Sequence, residues 1–192
     1  MSSVDRRTAR VEHNLLAEHP EIPQNLKARD LEFSLCSKGH AVVLARLWHS
    51  RLPKVQDGPW MFAFKASCCD VTFAVALWNS PSARTLPSHW LELRRLACSP
   101  DAPRNTCSRF LGWMIRYLRK QKPSAERCIS YQDMAVHEGT IYKASNWVRA
   151  FVAKGRRRDR SRPRKGTLRA YRSNINSDAV DASTKVRWEM KL

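Results

Sequence analysis

The sequence predicts a single α+β domain in which helices flank a mostly antiparallel central sheet. Two segments rich in β-branched and aromatic residues, 60–67 and 71–79, are separated by a short turn, which is typical of an antiparallel hairpin. Apolar residues then recur at three- and four-residue spacing from Phe110 to Leu118, which is typical of an amphipathic helix. The chain has 192 residues, enough for one domain with a substantial core.

The other elements follow from the same patterns. Residues 1–30 are polar and are interpreted as an N-terminal arm, so the domain itself is expected to span 31–192. A helix is predicted over 38–48 and ends before Pro53, because proline does not continue a helix. The remaining predicted elements are strands at 31–36, 89–99, 127–131 and 185–192 and a short helix at 139–147.

Positive charge is the strongest feature of the composition. The chain has 35 Lys and Arg against 17 Asp and Glu, a formal net charge of +18 that attracts phosphate-bearing partners. Eleven of the 24 residues from 149 to 172 are Lys or Arg, and this run is interpreted as a basic insertion before the last strand. We therefore expect DNA as the partner. The residues expected to contact its backbone are Arg156, Arg157, Arg158, Arg160, Arg162, Arg164 and Lys165.

The cysteines and the apolar segments limit the other classes of protein. None of the six cysteines forms a CxxC pair, and the histidines show no zinc-ligand spacing, so no metal site is predicted and the cysteines are interpreted as small core residues. The N terminus is polar, and no stretch approaches the ~20 apolar residues that span a bilayer. The expectation is a cytoplasmic protein with no membrane partner. The sequence does not indicate an oligomeric state.

A predicted strand–turn–helix near residue 105 is a candidate cofactor site. The N–H groups and the positive dipole end of a helix N terminus can bind a phosphate. Four residues lie there and are the candidate cofactor-binding residues: Arg104, Asn105, Thr106 and Ser108. An ordinary helix capped by Asp101 or Asn105 explains the pattern equally well, because the loop lacks the glycines that let a backbone approach a phosphate closely.

A second group of polar residues follows the strand that ends near Ser130. Asp133 or His137 could act as a general base, and Tyr142 as an acid or an oxyanion donor. In the alternative interpretation Asp133 caps the next helix and His137 lies on the surface. His49, at the end of the first helix, joins this group only if the fold brings it to Asp133.

Several segments resemble the phage Mom-type DNA-modification proteins, which belong to the GNAT acyltransferase superfamily. The resemblance is carried by ELRRLACSPDAPRNTCSRFLGWMIR, SYQD, GTIYKASNW, WHSRLP and KVRW, within residues 32–150 and 183–192. It implies a GNAT-like central sheet and a transferase that converts adenine in DNA to a carbamoylmethyl derivative, in a bacterial or phage-infected host cell. It also implies that His49, Asp133, Tyr142 and Ser108 are catalytic. For cofactors it implies iron and either an acyl-CoA-type or another group donor.

The sequence departs from the family pattern at two places. Ser50 stands where the pattern has a tyrosine after the histidine, and residues 104–108 replace the glycine-bearing loop of ordinary GNAT acetyltransferases. Two alternatives therefore stay open beside the DNA-modifying transferase. One is an acetyl-CoA-dependent N-acetyltransferase acting on a small molecule or a protein. The other is a non-catalytic, basic DNA-binding protein built on the same scaffold.

Overall fold

The computed structural model describes residues 21–49, 55, 58–153 and 183–192, which form a seven-stranded sheet with helices on both faces. The strands are β1 (Glu32–Leu35), β2 (Phe62–Cys68), β3 (Val71–Asn79), β4 (Leu91–Cys98), β5 (Arg127–Asp133), β6 (Val148–Ala153) and β7 (Lys185–Lys191). The helices are α1 (Lys38–Trp48), α2 (Thr106–Gln121) and α3 (Thr140–Ala144). None of these helices is long and apolar enough to cross a membrane.

The strand order in the sheet is β1-β2-β3-β4-β5-β7-β6. Neighbouring strands are antiparallel, with one exception: β4 and β5 run parallel to each other. The predicted fold class, an α+β domain with a mostly antiparallel sheet, is confirmed.

Two hydrophobic clusters cover the two faces of the sheet. Helix α1 packs on β2, β3 and β4 from one side, where Ala41, Val42 and Ala45 contact residues such as Val75 and Leu77. Helix α2 packs on the other side with the apolar stripe that its spacing predicts. The stripe consists of Phe110, Leu111, Met114, Ile115 and Leu118. Strand β3 is buried on both faces, which explains its nearly continuous apolar sequence.

Strand β4 contains a bulge near its middle. Arg94 is an extra residue that has no partner on β3. Such a bulge shifts the alternation of side chains, so that the residues after it point to the opposite face from the one that the strand pattern would give them. Leu93 and Leu96 consequently both pack in the cluster under α2, whereas Ala97 packs under α1. By alternation, Arg95 also faces the α1 side of the sheet.

The structure corrects two sequence-based boundaries. Residues 21–30 do not form an arm, because Ile22 and Ala28 are buried and a 3-10 turn at Ala28–Asp30 packs on α2. Strand β6 was not predicted, and the basic run assigned to about 149–172 therefore begins within it. The seven basic residues expected to contact DNA lie outside the described residues, as does Ser50.

Candidate active site

Strands β4 and β5 separate from each other, and this gap positions the candidate site. They pair over only three residue pairs, of which the last joins Leu93 to Ser130. Beyond that pair β4 continues to Cys98 and β5 to Asp133 without pairing to each other. A crevice at the carboxyl ends of parallel strands is a frequent ligand site.

The N terminus of α2 lies at the end of β4. Asn105 is its N-cap residue and adopts a left-handed backbone with φ 69°, and its side chain makes no capping bond. The hydroxyl of Thr106 donates instead to the carbonyl of Pro103 at 2.7 Å, and that of Ser108 to the carbonyl of Asn105 at 3.0 Å. Local hydroxyl–carbonyl bonds thus hold the turn.

Two cavities adjoin this turn. The smaller, of about 260 Å³, lies between the end of β4, the first turn of α2 and α3. The larger, of about 560 Å³, lies between the turn and residues 26–29. Its ten lining residues include four basic side chains and no acid: Lys27, Arg29, Arg104 and Arg109. A phosphate-bearing ligand suits such a lining.

The candidate cofactor-binding residues are distributed over both cavities. Arg104 lines the larger cavity and Thr106 the smaller, whereas Asn105 and Ser108 line both. Lys27 and Arg29 were not candidates, because they come from a distant segment whose position only the fold reveals. Arg109 carried a recognisable signal, since it lies in the same first helical turn as Ser108.

Cys98 and Cys107 both line the smaller cavity. A hydrogen bond from the Cys98 thiol lowers the pKa of Cys107, and the same bond together with burial raises the pKa of Cys98. The helix N terminus at Cys107 also favours a thiolate. The interpretation of the cysteines as core residues therefore misses a polarised pair of thiols at this cavity.

Tyr142 lies at the point where β4 and β5 separate. Its hydroxyl is 2.8 Å from that of Ser130, which donates to the carbonyl of Leu93 at 3.2 Å. Tyr142 therefore donates to Ser130. Its ring stacks on Trp188 and meets Trp147 edge-on, with centroids 5.4 Å and 5.6 Å apart. Burial raises the pKa of Tyr142 to about 12, so the phenol keeps its proton at neutral pH.

Gln132 fixes the loop between β5 and α3. Its side-chain carbonyl accepts from the Trp188 indole at 2.7 Å, and its amide donates to the carbonyl of His137. Gly139, the N-cap residue of α3, has φ 75°, and a Cβ there would lie 2.5 Å from Oε1 of Gln132. This contact allows only glycine and sets the position of Tyr142 in the following turn.

His49 and Asp133 lie on the opposite side of the sheet from Tyr142. Side chains alternate along a strand, so Asp133, three residues after Ser130, points to the face that carries α1. His49 directly follows the last residue of α1.

His49 is close to Arg95 and His137. Burial, followed by electrostatic repulsion from Arg95 and then from His137, lowers the pKa of His49 to about 4. The imidazole is therefore neutral at pH 7 and can accept a hydrogen bond. Burial, followed by the charge of Arg94, lowers the pKa of Arg95, whose Nε has no hydrogen-bond partner among the described residues.

Asp133 organises the loop that carries His137. One carboxylate oxygen accepts from the backbone N–H of Ala135 at 3.0 Å, and the other accepts from the hydroxyl of Ser183. The backbone N–H of His137 donates to the Asp133 carbonyl at 3.0 Å. His137 is exposed, and Gly139 rather than Asp133 caps α3.

The four residues that the resemblance implicates thus do not form one cluster. His49 and Asp133 lie on the α1 side with Arg95 and His137, whereas Tyr142 and Ser108 lie on the α2 side, and the gap between β4 and β5 lies between the two groups. Chemistry that uses all four requires a substrate that reaches through this gap.

The described residues do not fit the iron that the resemblance implies. Across residues 21–49, 55, 58–153 and 183–192, no three His, Cys, Asp or Glu side chains come together as a metal site would require. No step is therefore assigned to a metal ion.

Comparisons with known proteins place these features in a family. Residues 71–189 match the sequence model of the Mom protein family. No protein with a curated description matches the chain significantly in sequence.

Solved structures share the fold at low sequence identity. The ribosomal-protein-S18-alanine N-acetyltransferase from Escherichia coli is 12% identical with a TM-score of 0.55, over 84% of this chain and 93% of that one. A Bacillus subtilis acetyltransferase in complex with CoA is 13% identical with a TM-score of 0.55, over 84% and 99%. An N-acetyltransferase from Staphylococcus aureus Mu50 is 9% identical with a TM-score of 0.56, over 84% and 97%. These matches establish the GNAT acyltransferase fold for this chain.

Proposed function

The chain belongs to the Mom protein family, and on that premise we propose that it is a GNAT-fold transferase that modifies a base in DNA, at the exocyclic amine of adenine. The observation that carries the proposal is the gap between β4 and β5. It has a basic cavity at the α2 end and the polar residues His49 and Asp133 on the opposite face.

The group donor is an acyl-CoA-type molecule bound at the N terminus of α2. The larger cavity supplies Lys27, Arg29, Arg104 and Arg109 for phosphate groups. The smaller cavity continues from there to the end of β4 and to α3, the helix that contains Tyr142, and it receives the reactive end of the donor. A helix N terminus strengthens phosphate binding at this position.

The acceptor base enters from the α1 face. An adenine stacked inside a duplex cannot reach such a site, so the target base is unpaired or flipped out. Neutral His49 accepts a hydrogen bond from the exocyclic amine, and the carboxylate of Asp133 takes the amine proton as the nitrogen attacks the donor carbon. The new bond joins nitrogen to that carbon, and the bond from the carbon to the donor sulfur breaks.

Tyr142 stabilises the leaving sulfur with a hydrogen bond. Because burial raises its pKa to about 12, the phenol keeps its proton at pH 7 and acts as a hydrogen-bond donor. Its hydroxyl lies beside that of Ser130 at the gap and turns from Ser130 toward the negative charge that develops on the sulfur. The sulfur leaves as a thiolate, and the proton that Asp133 took from the amine passes through solvent to this thiolate, which returns Asp133 to its carboxylate form.

The basic run holds the DNA beside this site. The register places Asp133 of β5 opposite Lys185 of β7, which lies opposite Ala153 of β6. The basic run lies within the chain segment that joins β6 to Ser183, whose hydroxyl donates to Asp133. The described residues on both sides of this segment are thus on the part of the sheet that carries Asp133, and phosphate contacts made by the run position a strand without reading its sequence.

Mass spectrometry of nucleosides tests the proposal. DNA from cells that express the protein is digested, and its nucleosides are compared with those from cells that express Asp133→Asn. A deoxyadenosine derivative found only with the unchanged protein supports the proposal. Unmodified DNA in both cultures contradicts it.

Two binding measurements then separate the alternatives. If acetyl-CoA raises the melting temperature of the protein and DNA does not, the protein is an N-acetyltransferase that acts on another acceptor. If the unchanged protein and Asp133→Asn bind DNA with the same affinity and the same salt dependence, and no modified nucleoside is found, the protein is a non-catalytic DNA-binding protein.

A further inference from the structure

A row of three side chains crosses the sheet from β5 to its edge strand β6. Tyr131 lies directly opposite Arg187 of β7, and Arg187 lies opposite Phe151 of β6. Directly opposite residues of antiparallel strands share a face of the sheet. The Arg187 guanidinium lies over the Phe151 ring, 5.5 Å from its centroid. Two aromatic rings therefore flank one guanidinium on a single face.

This face is open where the row crosses it. Tyr131 is 36% exposed and Phe151 is 53% exposed, and they are the two aromatic side chains among the exposed large hydrophobic residues of the described chain. Helix α1 lies on the same side of the sheet, but it packs on β2, β3 and β4. No described helix covers β5, β7 and β6 on this side.

Charge around the row is net positive. Glu189 lies between Arg127 and Arg187, so its carboxylate is already paired with two guanidinium groups. Lys185, the next residue of β7 on this face, is opposite Asp133. The aromatic surface is thus bordered by basic side chains, which suits a partner that carries both flat rings and phosphates.

The row lies close to Asp133 along strand β5. Tyr131 and Asp133 are two residues apart on β5, which corresponds to about 7 Å along a strand. A base on Tyr131 therefore places the next nucleotide of the same strand within reach of Asp133.

We propose that Tyr131, Arg187 and Phe151 form a stacking surface for unpaired DNA bases next to the base that is modified. This rests on the proposed function and adds how the single strand is held. Exposed aromatic rings bind unpaired bases by stacking with little regard to sequence, and an adjacent arginine adds a cation–π contribution. The basic run supplies affinity for phosphates, whereas this surface selects bases that have left the duplex.

The test measures binding of the full-length protein to a single-stranded oligonucleotide that carries 2-aminopurine, whose fluorescence falls when the base stacks. Phe151→Leu and Tyr131→Leu keep apolar side chains but remove the rings, and each is expected to weaken binding by about 5- to 150-fold. The salt dependence of binding should not change, because no phosphate contact is lost. Phe151→Trp keeps a ring and should preserve the quenching.

Val152→Ala is the matched control. Val152 is the next residue of β6, is 44% exposed and faces the opposite side, since it pairs with Val186 of the core. The Val152→Ala variant should bind the oligonucleotide as the unchanged protein does. The proposal is overturned if both leucine variants bind and quench 2-aminopurine as well as the Val152→Ala control does.

The outcome is independent of the nucleoside analysis. If Phe151→Leu loses binding while DNA is never modified, the stacking surface stands and the transferase proposal fails. If DNA is modified while both leucine variants bind and quench normally, the transferase proposal stands and the stacking surface fails.

Discussion

The Tyr142 hydroxyl lies 2.8 Å from the Ser130 hydroxyl, at the last residue pair that joins β4 to β5. Removal of the Tyr142 hydroxyl alone separates its chemical role from its packing role. Tyr142→Phe keeps the stack on Trp188 and should lower stability by only about 1 kcal/mol, the usual net value of one hydrogen bond. It should slow group transfer by about 100-fold or more, because the hydrogen bond to the leaving sulfur is lost.

Single-turnover transfer rates and thermal melting check this prediction. Tyr117→Phe is the matched control, since Tyr117 packs its ring on Phe64 within the α2 cluster and lines neither of the two cavities described above. Full transfer activity in Tyr142→Phe would remove Tyr142 from the mechanism.

Stability should decrease as the pH falls, because of His49. An unfolded histidine takes up a proton near its ordinary pKa of about 6.5, whereas folded His49 does so only near pH 4. Between these two pH values the unfolded state binds more protons than the folded state. The free energy of unfolding therefore decreases as the pH falls through this window, and above the window His49 causes no further change with pH. Urea unfolding at pH 5 and pH 7.5 should show a smaller pH effect in His49→Gln.

The control for this prediction is His89→Gln, which replaces an exposed histidine beside Glu126. It should change the pH dependence less than His49→Gln does. An equal pH effect in the unchanged protein and in His49→Gln would contradict the burial of a neutral imidazole.

Substitution by alanine should destabilise the protein at Gly139 and stabilise it at Gly39. A Cβ at Gly139 would lie 2.5 Å from Oε1 of Gln132 and 2.7 Å from Cζ2 of Trp188, in a backbone with φ 75°. Gly139→Ala should therefore cost about 2 kcal/mol or more. Gly39 lies in α1 with no heavy atom within 4 Å of its Cβ position, so Gly39→Ala should stabilise the fold by about 0.5–1 kcal/mol. Denaturant unfolding measures both, and equal stabilities would contradict the structure of this loop.

Cys107 should be more reactive than Cys36. Its pKa is lowered by the Cys98 thiol, and it lines a cavity, whereas burial raises the pKa of Cys36 to about 11. A short pulse of iodoacetamide followed by peptide mass spectrometry should label Cys107 before Cys36. Cys98→Ala should slow this labelling, because the hydrogen-bond donor is lost, and CoA should slow it by filling the cavity.

Cys98→Ser supplies the control, since a hydroxyl can still donate to Cys107. Labelling of Cys107 at the same rate in Cys98→Ala and Cys98→Ser would show that the thiol pair does not polarise Cys107.

Elements with strong periodicity were predictable from the sequence. Strand β3 has the predicted bounds 71–79, and α2 buries the predicted apolar stripe from Phe110 to Leu118. Strand β6 was missed because it is an edge strand exposed on both faces, so no alternation of apolar and polar residues marks it. The β4 bulge at Arg94 carries no sequence signal, because it depends on the register with β3.

The site could be predicted only in its local parts. The turn at residues 104–108 and the polar residues after β5 are continuous in sequence, so their patterns identified them. The electrostatic interaction of His49 with Arg95, and the row of Tyr131, Arg187 and Phe151, join distant segments. Pairing register and helix packing create these contacts, and a single sequence contains no record of either.

The mass of deoxyadenosine in cellular DNA tests the central claim most directly. DNA from cells that express the unchanged protein should yield a heavier deoxyadenosine derivative, and DNA from cells that express Asp133→Asn should yield little or none. Deoxyadenosine of unchanged mass in both samples, with both proteins folded and present at equal levels, would contradict a role in base modification.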